Sequence, residues 1–420
     1  MILYYLLILL IPYQAHGMLA DVLFLENSLR ITPIKLVGFA TLFYSIYYFF
    51  VFKKSNISSL IMNKLSVFIL VFFLLCIVSG MLNPVPGVEI ALSKVYSFFI
   101  FFIPTIILID NETKIRNVLL MSIVSMVLAS RSVFIEYYHF SRVLPNFRPW
   151  TSFGDPNYYS LSALIIIAVI LSMLNKEENN IIKYLLSFSL IIMITSVFFA
   201  ASRGGMIGLF IIFLYHFLKS ENKVKIFTAS VFLLLILITA LPHYLTDRLM
   251  IINWNSLNSR RTMSDSQMSS RESSVRRYEL AITGIRMFFD SPVLGIGFAN
   301  FRHNSVRYNP NLLWTQMEGA GVAHSTYIEI LAELGIIGMA LFAVIIILTF
   351  QLLLSIPLNE KKLVIRNSIL SGLLGYLVSA TFLSAAFIKF FWLMIFLTLC
   401  LKYITEQNEG EDMNDTICNN

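Results

Sequence analysis

Residues 323–354 read AHSTYIEILAELGIIGMALFAVIIILTFQLLL. A polar start with His324, Glu329 and Glu333 passes into a run that carries no charge from Leu334 onward. As a helix, Tyr327–Leu354 would extend ~42 Å at 1.5 Å per residue, against ~30 Å of bilayer hydrocarbon. The stretch therefore predicts a membrane-spanning helix whose top projects or tilts, which lifts His324 into the headgroup layer. Thr326-x-x-Glu329 matches a capping box, so the helix is expected to start there with Glu329 closing the cap. His324 then sits two residues outside, near the positive end of the helix dipole, where neutral imidazole is favoured; that is the form a general base needs. A charge in hydrocarbon costs about 3 kcal/mol even on lenient scales, so Glu333 is expected to have an arginine or hydroxyl partner.

The rest of the chain agrees with this reading. Of 420 residues, 57% are hydrophobic and 13% charged, with 36 phenylalanines. A soluble domain cannot cover that much apolar surface with so few charges, and the class is an all-α polytopic membrane protein. The N-terminal MILYYLLILLIPY lacks the basic start and small-residue cleavage site of a secretory signal and is read as a first span. Further apolar runs fall near 33–52, 66–82, 92–109, 117–134, 158–174, 184–201, 206–218, 226–242, 327–354, 368–383 and 385–402, giving about twelve transmembrane helices. Three cysteines support no disulfide framework.

Charge distribution orients the bundle. Lys53, Lys54, Lys64, Lys114, Arg116, Lys176, Lys183, Lys219, Lys223, Lys225, Lys361, Lys362, Arg366 and Lys402 fall on one side, which the positive-inside rule assigns to the cytoplasm. The net charge of +7 therefore belongs to membrane topology and does not indicate nucleic-acid binding. The expected organisation is a bundle of about nine spans over 1–242, an extracytoplasmic loop over 243–323, the remaining spans over 324–403 and a disordered cytoplasmic tail over 404–420. The long loop has no lysine but carries Arg248, Arg260, Arg261, Arg271, Arg276, Arg277, Arg286, Arg302 and Arg307. Arginine grips phosphate and carboxylate bidentately, so the set suggests an anionic ligand at the outer membrane face.

Three further stretches carry candidate chemistry. In AASRGGMIGLF (200–210), Ser202-Arg203-Gly204-Gly205 reads as a tight outer turn whose glycines leave helix-start amides open to an anion beside Arg203. In SSVRRYELAITGIRMFFDSPVLGIGFANF (273–301), Tyr278, Ala281, Ile282, Ile285, Phe288 and Phe289 recur at helical spacing, which predicts an amphipathic helix on the membrane surface. Its solvated stripe is expected to be Arg276, Glu279, Thr283, Arg286 and Asp290, with Arg277 on a packed flank pointing into a site. The helix should end at Ser291-Pro292, and the GIGFAN after it is no dinucleotide loop because no strand precedes it. In RPWTSFGDPNYYSL (148–161), Asp155-Pro156-Asn157 predicts a turn before the next span, with Arg148 and Trp150 just outside the membrane.

Taken together, SRGG, RYELAITGIRMFFDSPVLGIGFANF, AHSTYIEILAELGIIG and RPWTSFGDPNYYSL resemble the bacterial O-antigen ligase and O-antigen polymerase superfamily in order and spacing across roughly 148–340. The resemblance implies an inverting membrane glycosyltransferase at the outer face of the bacterial cytoplasmic membrane. Its donor would be an oligosaccharide on undecaprenyl diphosphate, its acceptor a glycan or lipid A core, and other polysaccharide-assembly membrane proteins could be partners. Carried onto matching positions, Arg203 and Arg277 would hold the diphosphate and His324 would activate the acceptor hydroxyl. Diphosphate and glycan contacts are expected from Arg148, Arg276, Ser202, Gly204, Tyr327 and Glu333. The family often has asparagine after the histidine, where this chain has Ser325.

No cofactor is expected. The outer loops hold scattered carboxylates without a D-x-D cluster or histidine pair, which argues against an essential divalent metal. A lipid-linked-glycan flippase is the transport alternative. It fits less well, because the sequence has no repeated halves and its polar groups gather at one face instead of the midplane.

Overall fold

The computed structural model describes residues 1–13, 32–52, 60–82, 87–141, 147–221, 223, 265–309, 321–357 and 359–418. Among these residues the chain is all-helical. The first half contains α1 (Ile2–Leu10, continued by a 3-10 turn at Ile11–Tyr13), α2 (Pro33–Phe52), α3 (Lys64–Leu82), α4 (Gly87–Leu108) and α5 (Glu112–Phe140). It continues with α6 (Pro156–Leu174), α7 (Asn180–Phe199) and α8 (Arg203–Lys219). Then come α9 (Asp265–Asp290), α10 (Phe301–Tyr308), α11 (Thr326–Ser355), α12 (Glu360–Ala380) and α13 (Lys389–Cys418).

Helices stand at every expected apolar run except 226–242, which lies outside the described residues together with Arg248, Arg260 and Arg261. Among the described residues, eight helices are long and apolar enough to cross a membrane, where about twelve spans were expected of the whole chain. Ile2–Tyr13 and Lys94–Leu108 are apolar but fall short of the ~20 residues a bilayer requires. At the far end of the chain the backbone stays helical through Cys418, across the segment expected to be disordered. A Lys402–Glu406 pair at 3.3 Å, one turn apart, supports the helix beyond its apolar part.

The caps distinguish the two ends of the bundle. At the lysine-rich end, Asn111, Asn179 and Asn359 cap α5, α7 and α12 through their side chains. Ion pairs join the elements there: Arg116–Glu177 at 2.9 Å, Lys176–Glu360 at 3.0 Å and Lys362–Glu112 at 3.8 Å. At the opposite end, Asp155, Ser202 and Ser325 cap α6, α8 and α11.

The most enclosed helix is α6, which packs against α12, α7, α8 and α5. Its neighbour contacts depend on small residues. A Cβ on Gly208 would lie 2.2 Å from Ser379 Oγ, and one on Gly375 would lie 2.6 Å from Ile212 Cγ1, so α8 and α12 meet nearly backbone to backbone. In lipid, where apolar burial no longer drives association, such close van der Waals contact holds helices together.

The opening stretch forms α11 with a break. Gly335 takes φ 62°, ψ −161°, a conformation open essentially to glycine alone, and divides the helix two residues after Glu333. An unpaired backbone group at membrane depth costs several kcal/mol, and the segment after α9 fills the gap. Ile296 N–H donates to Ala332 O at 2.9 Å, Gly297 N–H to Glu333 O at 3.1 Å, and Ile336 N–H to Pro292 O at 2.8 Å. This is the role of GIGFAN: it repairs a broken membrane helix.

Several local expectations are corrected. The N-cap of α11 is Ser325, whose Oγ accepts from Ile328 N–H, so Thr326 and Glu329 form no capping box. The Thr326 hydroxyl is held elsewhere, donating to Leu383 O at 2.6 Å and accepting from Ala385 N–H at 2.9 Å. Among the described residues, Glu333 has neither an arginine nor a hydroxyl partner hydrogen-bonded to its carboxylate. Its oxygens accept backbone N–H groups, Oε2 from Ala299 at 2.9 Å and Oε1 from Phe301 at 3.0 Å, because the break brings the start of α10 against it. The turn before α8 is made by Ala200, Ala201 and Ser202, with Ala201 at φ 48°, while Gly204 and Gly205 lie in the first helical turn. Finally, α9 buries Leu280, Thr283, Gly284 and Met287 and exposes Tyr278, Ile285 and Phe289, so Thr283 leaves the expected solvated stripe. The stripe at i, i+3, i+4, i+7 packs on protein, and the large apolar side chains face outward as on an interfacial helix.

Candidate active site

Three helix N-termini, those of α6, α8 and α11, come together at the end opposite the lysines. Side chains lock them there. Ser379 Oγ donates to Gly204 O at 2.7 Å, fixing the start of α8 to the end of α12. Tyr327 donates its hydroxyl to Leu377 O at 2.7 Å and ties α11 to the same helix. A Cβ on Gly205 would lie 2.9 Å from Ser160 Cβ, so glycine there lets α8 approach the first turn of α6. Arg148 spans the remaining gap: Nε and Nη2 donate to Ala200 O at 3.2 and 2.9 Å, and Nη2 donates to Asn157 Oδ1 at 3.1 Å.

The interfacial helix lies across this cluster. A Cβ on Gly284 would stand 2.5 Å from Ile328 Cγ2, so α9 crosses the first turn of α11 at its glycine. Two turns earlier on α9 is Arg277. There it interacts electrostatically with Arg203 and with Asp155, and burial followed by the Arg203 charge lowers its pKa. His324 lies just before the N-cap of α11 in a left-handed conformation, φ 51°. Its electrostatic neighbours are Arg277, Asp155 and Arg276. Arg203, Arg276, Arg277, Asp155 and His324 thus form one partly buried group.

The protonation state of the histidine follows from this placement. Burial first, and then the Arg277 guanidinium, push the His324 imidazole down to about 4, against an opposing pull from Asp155. Neutral imidazole was expected from the helix dipole; desolvation is the larger cause. A neutral ring beside several guanidinium groups can accept a proton at ordinary pH while the cations attract an anion.

The other expected site residues divide into two kinds. Ser202 caps α8 by accepting from Gly205 N–H at 3.2 Å, and Gly204, Tyr327 and Arg148 join helices as described. Arg276 stays with the cluster, while Glu333 is committed to the amides of Ala299 and Phe301. Arg286, from the expected arginine set, donates to Tyr308 O at 3.0 Å. Sequence reading had given Asp155 only to a turn. Its side chain does cap α6, accepting from Asn157 N–H at 2.6 Å and Tyr158 N–H at 3.3 Å, but the carboxylate also acts on Arg277 and His324. Aspartate before a proline at a helix start was the available signal for the cap, though not for the charge pairing. Among the described residues no group of three or more His, Cys, Asp or Glu side chains could hold a metal ion.

Residues 188–343 match the family model described as O-antigen ligase. The matched segment contains Arg203, α9 with Arg277, the repaired break in α11 and His324. Arg148 and Asp155 lie before it. No curated protein matches the chain. The family match, on a multi-span helical membrane protein, supports membership of the O-antigen ligase/polymerase superfamily.

Proposed function

We propose that the protein is an inverting membrane glycosyltransferase of surface-polysaccharide assembly, such as O-antigen or capsule. In this reading it polymerises oligosaccharide repeat units carried on undecaprenyl diphosphate. The acceptor hydroxyl gives its proton to neutral His324 as its oxygen attacks the anomeric carbon of the donor. The bond from that carbon to the diphosphate breaks, its electrons stay on the diphosphate oxygen, and Arg203 and Arg277 hold the charge that develops. Fixed cations aimed at growing charge are commonly the largest catalytic contribution, and a positioned base adds about 10²–10⁴-fold.

One observation carries the proposal: guanidinium groups from α8 and α9 and a neutral imidazole from the start of α11 gather at one end of a membrane bundle. Lysines dominate the other end, and the positive-inside rule makes that end cytoplasmic. The site then opens on the outer face of the bacterial cytoplasmic membrane. The second reading is a ligase that moves glycan from undecaprenyl diphosphate to lipid A core or another acceptor, the activity after which the matching family is described.

The test is purified protein given undecaprenyl-diphosphate oligosaccharide, first alone and then with core lipid. Elongation without core supports the polymerase, and capture of glycan by core supports the ligase. Failure to form any glycosidic bond in either arm sinks the transferase reading.

A further inference from the structure

His324 stands between two residues that are both hydrogen-bonded to Glu329. On its C-terminal side, Ser325 O accepts the Glu329 N–H at 3.0 Å, the bond that opens α11. On its N-terminal side, the Ala323 N–H donates to the Glu329 carboxylate, which reaches back over the N-cap. The Ser384 hydroxyl donates to the same carboxylate, and the Lys94 charge acts on it from α4. Ser384 belongs to the short connection between α12 and α13, which is itself fastened to α11. Thr326 Oγ1 donates to Leu383 O at 2.6 Å and accepts from Ala385 N–H at 2.9 Å. Ala323, Ser325 and Ser384 are all buried.

This clamp coincides with backbone strain. His324 holds φ 51°, in the left-handed region that residues other than glycine seldom visit. Such a conformation persists only where the surroundings over-determine it, and it recurs where a side chain has to be aimed. Released from the Ala323 contact, the backbone would relax toward an ordinary φ. The imidazole would then swing away from Arg277, Asp155 and Arg276, the charges that now act on it. A displacement of ~1 Å in a reacting group can cost about 100-fold in rate. An ionised acceptor holds an amide more firmly than a neutral one, which suits a carboxylate to this task.

We infer that Glu329 is a positioning residue: by gripping the residues on either side of His324, it fixes the left-handed turn that aims the imidazole at the arginine cluster. The inference rests on the proposed role of His324 as the base for the acceptor hydroxyl. Two measurements on nanodisc-embedded protein test it, kcat with undecaprenyl-diphosphate oligosaccharide and affinity for bare undecaprenyl diphosphate. Glu329→Ala should lower kcat about 100-fold, leave affinity for the bare lipid intact and speed hydrogen exchange at the Ala323 amide. Glu329→Gln keeps an acceptor oxygen for that amide and should bring kcat back to within about fivefold of wild type. Ser384→Ala removes one support of the carboxylate without altering α11 and should lower kcat by about three- to tenfold. It therefore still reports if Glu329→Ala does not fold. Wild-type kcat in folded Glu329→Ala, or in Ser384→Ala where the first variant does not fold, overturns the inference. A loss confined to lipid affinity, or a glutamine variant as slow as the alanine one, overturns it as well. Each of those results leaves the transferase reading standing, whereas wild-type protein that forms no glycosidic bond removes both.

Discussion

Arg277 on α9 lies close enough to Arg203, on the first turn of α8, for the Arg203 charge to lower its pKa. Two like charges held near one another in a partly buried site repel. Arginine does not relieve such repulsion by deprotonating at physiological pH. Two elements far apart in sequence are nevertheless packed so as to hold both cations together, which is intelligible if a dianionic ligand lies between them. Arg203→Ala and Arg277→Ala should each lower transfer by about 10- to 150-fold while the protein still expresses, on the scale of charge-assisted hydrogen bonds worth ~1.5–3 kcal/mol each. Lysine at either position should recover only part of the loss, because a point charge lacks the bidentate fork. The measurement is glycan chain length in cells and transfer by purified protein; wild-type chain length in both alanine variants would dismiss the site.

The pH dependence follows from His324. Its imidazole is lowered to about 4 in the free protein, so the base stays competent in acid well below the ordinary histidine value. The acid limb of kcat/KM, which reports the free enzyme, should fall near that value and not near ~6.5. Asp155 opposes the lowering. Asp155→Asn keeps a side-chain oxygen to cap α6 but removes the negative charge, so the limb should move to still lower pH. The same lowering has a stability consequence: unfolded chains protonate this ring first, so His324 contributes a loss of stability as pH falls from ~6.5 toward the folded value. A limb unmoved or shifted upward in Asp155→Asn would show that the two side chains do not interact as described.

Much of this arrangement was written in the sequence. The apolar runs located the helices because hydrocarbon length imposes a period that composition records directly. Arg203, Arg277 and His324 stood out because a charged or titratable residue beside small residues at a span boundary is costly without a purpose. What the sequence hid were the contacts made across distance. Thr326 and Glu329 looked like a capping box, but Ser325, one residue before Thr326, was an equally good cap, and local pattern could not choose between them. The outward face of α9 was misjudged at Thr283 because periodicity gives the stripes of a helix without saying which stripe meets protein and which meets lipid. Asp155 looked complete as a turn residue, and its second role exists only once α9 brings Arg277 within reach of the start of α6.

Glu333 illustrates the same limit and yields a separable prediction. Its carboxylate accepts the Ala299 and Phe301 amides, and its own carbonyl accepts Gly297 N–H, so one residue holds the start of α10 to the break in α11. A glutamine in its place offers one acceptor oxygen and turns an NH₂ group toward a backbone N–H. Glu333→Gln should therefore destabilise the protein by about 2–4 kcal/mol, the scale of a buried charge-assisted pair losing one partner. Transfer per folded molecule should stay within a few-fold of wild type. Detergent melting curves and specific activity separate the two effects; an unchanged melting point with lost activity would return Glu333 to substrate binding.

Gly335 is a backbone position that only glycine fits. Its φ of 62° with ψ −161° excludes ordinary side chains, and an added Cβ would stand 2.3 Å from Val293 O. The clash is with backbone, so no side chain can rotate away to relieve it. The strain costs ~1–3 kcal/mol before the clash is counted, and moving Val293 would pull Ile296 and Gly297 from the carbonyls they cover at membrane depth. Gly335→Ala should therefore cost more than about 3 kcal/mol, straighten α11 across the break and release the segment that carries α10. The loss should appear as low yield in membranes and, in what remains, as backbone hydrogen exchange at Ile296 and Gly297 that the wild type suppresses. Wild-type yield and protection in Gly335→Ala would mean that α11 runs unbroken in the membrane.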